Sequence, residues 1–168
     1  HNDRGHALTL ALHALEWGVD RAHGCGLGIG ERVGNTSMDL LLLNLNLLGL
    51  LDEERHDLSC LVEYVEKVAQ YTGVEIPVSY PLSGRDAFRT ATGVHAAAII
   101  KAEARGDFEL ADRVYSSVPA RRYGRKQTIE VGHYSGRSNV IYWLKDHGFD
   151  PTDELVDRVF EAAKAQDH

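Results

Sequence analysis

The chain is poor in sulfur, with two cysteines, Cys25 and Cys60, and one methionine among 168 residues. Two cysteines cannot build the disulfide framework on which small secreted domains rely. No charged stretch followed by an apolar run and a cleavage site stands ahead of the first helical pattern, and the two absences together predict a cytoplasmic chain. Excess positive charge is lacking too. The net charge of −7 repels a phosphate backbone and argues against a nucleic-acid partner. The one basic run, Arg121, Arg122, Arg125 and Lys126, reads as a solvated loop. Nor is there an apolar stretch of bilayer length. The run from Leu40 to Leu48 reaches about half of what a spanning helix needs and is broken by Asn44 and Asn46, so no membrane contact is expected. The 16 glycines and four prolines fall into no repeat or low-complexity segment, which excludes a collagenous chain.

What is present is the profile of a globular protein: 43% apolar and 26% charged residues, in a length that can bury one ordinary core. From Gly5 to Gly18, His6, Thr9, His13 and Glu16 recur at helical spacing opposite Leu8, Ala11, Leu12 and Leu15, which predicts an amphipathic helix. Arg21 to Gly30 reads as a glycine-laced strand. Asn35, Thr36 and Ser37 supply cap chemistry for a buried, Leu-rich helix from Met38 to about Leu48. Asp57 is expected to cap the next helix, which carries Leu58, Leu61, Val62, Val65, Val68 and Ala69 on one face and ends at Gly73. Pro77 and Pro81 predict an extended stretch and a domain boundary there. Beyond it the pattern gives helices over Val94 to Arg105, near Asn139 to Asp146, and after Thr152, where Leu155, Val156, Val159 and Phe160 point inward.

Four segments, taken in order, carry a family resemblance: HNDRG at 1–5, GLGIGERVGN at 26–35, GRDAFRTATGVHAAAI at 84–99 and GRKQTIEVGHYSGRSNV at 124–140. Together they resemble the 2-isopropylmalate synthase and homocitrate synthase family of metal-dependent barrels. The resemblance implies an α/β fold: residues 1–75 as the last two strand-helix units of a TIM barrel, then a mainly helical post-barrel subdomain over 76–168. A closed barrel takes about eight such units and roughly 250 residues. With a first residue that is His and not Met, the chain is expected to be the back portion of a longer enzyme, inactive alone or completed by another chain.

For activity, the resemblance implies condensation of acetyl-CoA with a 2-oxo acid, 2-oxoisovalerate in the first place, to give 2-isopropylmalate for leucine biosynthesis, with homocitrate- or citramalate-type condensation as the alternative. A homodimer is implied for the intact parent. His1 matches a metal-binding histidine of the family and Asn35 a metal-binding asparagine, and an imidazole and an amide oxygen suit Mg, Mn or Zn. Asp3 could orient His1 as its hydrogen-bond acceptor. Read without the family, Asn35 is a cap or turn residue and Asp3 an exposed turn carboxylate. Gly24, Gly26, Gly28 and Gly30 are spaced by two and do not form a dinucleotide fingerprint; glycines so placed admit a ligand or a neighbouring backbone. Glu31 and Arg32 are expected either to support the substrate and acetyl-CoA region with Gly28 and Gly30, or to form a structural ion pair. His95 matches the histidine of the family's Gly-Ile-His motif and is implied to handle protons with a tyrosine. Tyr115 is the candidate partner if the stretch around Glu103 to Asp112 is an insertion, and an aromatic packing residue otherwise. His6 and His13, seven positions apart, do not have the i, i+4 spacing of paired ligands, and His168 is given no role.

Overall fold

The computed structural model describes residues 1–52 and 54–166; His168 lies outside them. The chain forms two compact units, His1–Ala87 and Phe88–His168. Among the described residues there are seven α-helices and one two-stranded parallel sheet, and no helix is long and apolar enough to cross a membrane.

In the first unit, α1 (Ala7–Glu16) keeps His6, Thr9, His13 and Glu16 exposed, while Leu8, Ala11, Leu12 and Leu15 are half-buried, as the spacing predicts. It packs against α2 (Met38–Leu47), where Asp39, Leu41, Leu43 and Asn46 are buried. The strand expected over 21–30 does not form. Cys25 makes a single parallel bridge to Ser37, and the chain then turns through a 3₁₀ segment, Gly26–Gly28. Two successive left-handed residues, Leu27 at φ 56° and Gly28 at φ 66°, reverse it there, a geometry that no pleated ladder accommodates.

The expected caps are also spent elsewhere. Ser37 stands at the N-cap of α2 without a side-chain cap bond, Thr36 Oγ1 donates to the Ala7 carbonyl over 3.3 Å, and Asn35 turns to its own loop. Asp57 accepts from the Ser59 amide at 2.8 Å. That Asx turn delays the helix, so α3 begins later, at Leu61–Thr72, buries Leu61 and Val65, and ends at Gly73 with φ 72°. Where an extended stretch was expected around Pro77 and Pro81, consecutive turns form: Tyr80 N donates to Pro77 O, Gly84 N to Tyr80 O and Asp86 N to Val78 O. Proline fixes φ in the range that a turn requires as readily as in an extended chain.

In the second unit, β1 (Arg89–Thr90) pairs in parallel with β2 (Thr128–Ile129). Between them lie α4 (Gly93–Ala104) and α5 (Phe108–Arg113). α5 escaped the sequence reading because, at six residues, it shows barely one turn and a half of periodicity. Asp107 caps it by accepting from Leu110 N at 3.0 Å. Ala96, Ile99 and Ala102 of α4 meet Ala111 of α5 and Ile129 of β2 in one core. Helices α6 (Arg137–Asp146) and α7 (Asp153–Lys164) close a second core of Val140, Leu144 and Val156, flanked by Leu155, Val159 and Phe160. Thr152 caps α7 by accepting from Leu155 N.

Candidate active site

The first constellation lies on the 26–35 loop. Asn35 N donates to Gly28 O at 2.7 Å and Gly34 N to Glu31 O at 3.1 Å, folding the loop on itself. The glycines are what permit this. A Cβ at Gly30 would sit 2.1 Å from Asn35 Nδ2, and one at Gly34 2.1 Å from Gly28 O, so these residues admit neighbouring backbone and the Asn35 amide. Asn35 Nδ2 donates to Ile29 O at 3.2 Å and approaches Cys25 Sγ at 3.6 Å, which leaves Oδ1 as the end of the amide for a ligand. The next segment is tied in by Asn2, whose amide donates to Gly34 O at 2.9 Å and whose Oδ1 accepts from Ala7 N at 3.1 Å.

His1 and Asn35 consequently line one open cavity of about 590 Å³, with His23, Cys25, Thr36 and Met38. An imidazole and an anchored amide oxygen fit two positions of a divalent-cation site. Among the described residues no group of three or more His, Cys, Asp or Glu is placed to hold a metal.

Asp3, expected beside His1, is taken by another partner. Arg32 Nε donates to its Oδ1 at 3.0 Å and Nη2 to its Oδ2 at 3.2 Å, because a guanidinium fork matches both carboxylate oxygens at once. The Arg32 guanidinium holds the Asp3 carboxyl below its ordinary value of 3.8. Glu31 lies 3.8 Å from the same guanidinium, so Glu31 and Arg32 have the geometry of an exposed ion-pair cluster.

Beneath the loop lies a residue that the sequence reading passed over. Asp39, buried in the first turn of α2, accepts from Leu27 N at 2.9 Å and from the Tyr80 hydroxyl at 2.7 Å. It therefore holds the left-handed Leu27 in place. The signal was present in the sequence as a lone carboxylate heading a run of leucines.

The second constellation belongs to the other unit. His95, in the first turn of α4, and Tyr115, just past α5, are both exposed, and their rings meet with centroids 4.0 Å apart at 34°. The α4 N-terminus that carries His95 is clasped by the Ser135-Gly136-Arg137 segment. Ser135 Oγ donates to Ala91 O at 2.7 Å, and Asn139 Nδ2 donates to the same oxygen at 3.1 Å and to Glu130 O at 3.2 Å. Gly93 N donates to Tyr134 O at 3.0 Å. A Cβ on Gly93 would stand 2.9 Å from Gly136 N, so glycine at 93 lets the two helix starts touch. The sequence marked Ser-Gly-Arg as a motif; its work as a clasp rests on contacts distant in the chain.

A family model described as HMGL-like matches residues 1–68. Homocitrate synthase AksA of Methanopyrus kandleri is 30% identical over 98% of this chain and 39% of its own length. A probable 2-isopropylmalate synthase of the same organism is 30% identical over 98% of this chain and 31% of its own. The (R)-citramalate synthase of Aquifex aeolicus is 32% identical over 100% and 31% respectively. The chain belongs to the 2-isopropylmalate and homocitrate synthase family. It spans between 31% and 39% of the length of these three relatives. The HMGL-like match carries a barrel-related α/β fold for the segment that holds His1 and Asn35. The similarity to the synthases runs on through the segment that holds His95 and Tyr115.

Proposed function

We propose that this chain supplies part of the active site of an acetyl-CoA-dependent condensing enzyme acting on a 2-oxo acid, with 2-oxoisovalerate as the first substrate to try and the oxo acids that yield homocitrate and citramalate as the alternatives. The contact between His95 and Tyr115, an imidazole and a phenol suited to acid-base work, carries the reading. In the reaction a methyl proton of acetyl-CoA leaves to a base, and the resulting enolate carbon bonds to the keto carbon of the oxo acid. The carbonyl π pair becomes an alkoxide that takes up a proton, and water then cleaves the thioester to release CoA.

His95 would accept the methyl proton and Tyr115 would hold the ring and relay a proton, a contribution of roughly 10²–10⁴-fold for a positioned base. His1 and Asn35 would hold a divalent cation, Mg, Mn or Zn, which when bound polarises a chelated carbonyl. With two ligands supplied here, we take the cation site to be completed by residues of a longer polypeptide or a second chain, as in a homodimeric parent. The corresponding architectural reading is the closing end of a barrel, in which α1 and α2 would be the last two helices and the 21–30 segment, which forms no strand here, would take the place of the last strand.

The test is CoA release from acetyl-CoA with each oxo acid, for the purified chain and for the longest reading frame containing it. Turnover is expected in the latter and its loss in His95→Gln and Tyr115→Phe. Full activity of His95→Gln in the longer protein would end the reading.

A further inference from the structure

Tyr115 reaches His95 only because α5 is held against α4, and the apolar contact between those helices is poorly suited to fixing that register. It is made by Ala96, Ile99 and Ala102 of α4 against Ala111 of α5, with Ile100 and Val114 packed beside them. Burial is non-directional, so this contact holds the two helices together more than it orients one on the other. Directional bonds converge instead on one side chain. Arg121 Nη1 donates to Asp112 Oδ1 at 2.6 Å, and its backbone N donates to Asp112 Oδ2 at 2.8 Å. Its Nη2 reaches Glu103 Oε1 on α4 at 2.6 Å, and its guanidinium stands 4.8 Å from the centre of the Phe108 ring on α5.

Both acids are held for this task. Asp112 is buried, and its backbone carbonyl accepts from Gln127 Nε2 at 3.2 Å. Glu103 accepts a second bond, from the Tyr142 hydroxyl of α6, at 2.9 Å. Burial first and the Glu103 carboxylate second push the Tyr142 phenol up, so it stays a donor. A planar guanidinium with fixed donor directions sets distance and orientation together, which a lysine ammonium does not.

We propose that Arg121 is the positioning residue of the His95–Tyr115 pair: by forking between Glu103 of α4 and Asp112 of α5 it sets the register that lays the tyrosine ring on the imidazole. The proposal rests on the acid-base reading of that pair for its meaning, but its test needs no substrate.

In the full chain with labelled histidines, the ring current of Tyr115 should displace the His95 imidazole protons upfield, and Tyr115→Leu gives their position without the stack. Arg121→Ala is expected to move these resonances most of the way to the Tyr115→Leu position while the protein remains folded by circular dichroism, and Arg121→Lys is expected not to restore them. Should Arg121→Ala fail to fold, Glu103→Gln, which takes the charge off the α4 arm and leaves Asp112 in place, is expected to give a shift in the same direction. A folded Arg121→Ala or Glu103→Gln protein with His95 at its native position overturns the proposal, as does a Tyr115→Leu protein in which His95 does not move. Loss of turnover in His95 variants tests the functional reading separately.

Discussion

Tyr80 donates its hydroxyl hydrogen to Asp39 over 2.7 Å, joining the turns after α3 to the first turn of α2. Asp39 also receives the Leu27 amide, so one buried carboxylate fixes a left-handed leucine and a phenol. Asp39→Ala orphans both donors, and with about 1–3 kcal/mol for each buried unsatisfied group the loss should be about 3 kcal/mol. Urea denaturation measures it. Asp39→Asn, which keeps an acceptor, should lose less.

The same phenol gives an alkaline prediction. Burial, with the Asp39 carboxylate adding to it against an opposing bond from Ser37, raises Tyr80 above its ordinary value of 10; Tyr142 is raised as well. A group whose folded value is raised stays protonated in the native state after the unfolded chain has begun to ionise. Its contribution is whole below about pH 10 and falls as pH climbs through the folded value. Denaturation midpoints should therefore drop above pH 10, and Tyr80→Phe should flatten that drop. An unchanged alkaline limb in Tyr80→Phe would contradict the assignment.

Gly30 has no left-handed requirement, so its substitution reports on space alone. The Cβ of Gly30→Ala would collide with Asn35 Nδ2 and push the amide off Ile29 O. Manganese affinity, read by the paramagnetic broadening of a completed enzyme, should fall by about tenfold or more, as it does when a ligand's support is lost. Helix content should change little.

Asn139 is fully buried and bonds three backbone groups: Ala91 O, Glu130 O and Gly136 N. Asn139→Ala should cost about 2–4 kcal/mol, because the buried groups lose partners that water cannot replace. His95 should become mobile in step, visible as lost amide protection in the first turn of α4.

Helices decided by their own residues were legible in the sequence: α1, α2, α4, α6 and α7 fall close to where composition, spacing and helix-stopping residues put them. The segments that failed depend on distant partners or on backbone reversal. The strand expected over 21–30 yields to left-handed Leu27 and Gly28, and the Leu27 amide is held by Asp39 twelve positions on. Asp3 went to Arg32, a residue from the far side of the loop. In the two candidate constellations, motif resemblance singled out His1, Asn35, His95 and Tyr115. Asp39 and Asn139 stayed hidden because a supporting residue carries no local signature, and Arg121, read as part of a solvated loop, instead pairs with Glu103 and the buried Asp112. Their charge or amide was visible; what it bonds to was not.

The Ala91 carbonyl accepts from both Ser135 and Asn139, so the beginnings of α4 and α6 are fastened to the same oxygen. Neither helix start can fray while the other keeps its place, and the two should open as one cooperative event rather than separately. Hydrogen exchange at Gly93 and Gly136 would then share a single opening free energy, making the neighbourhood of His95 only as durable as the distant turn that latches it.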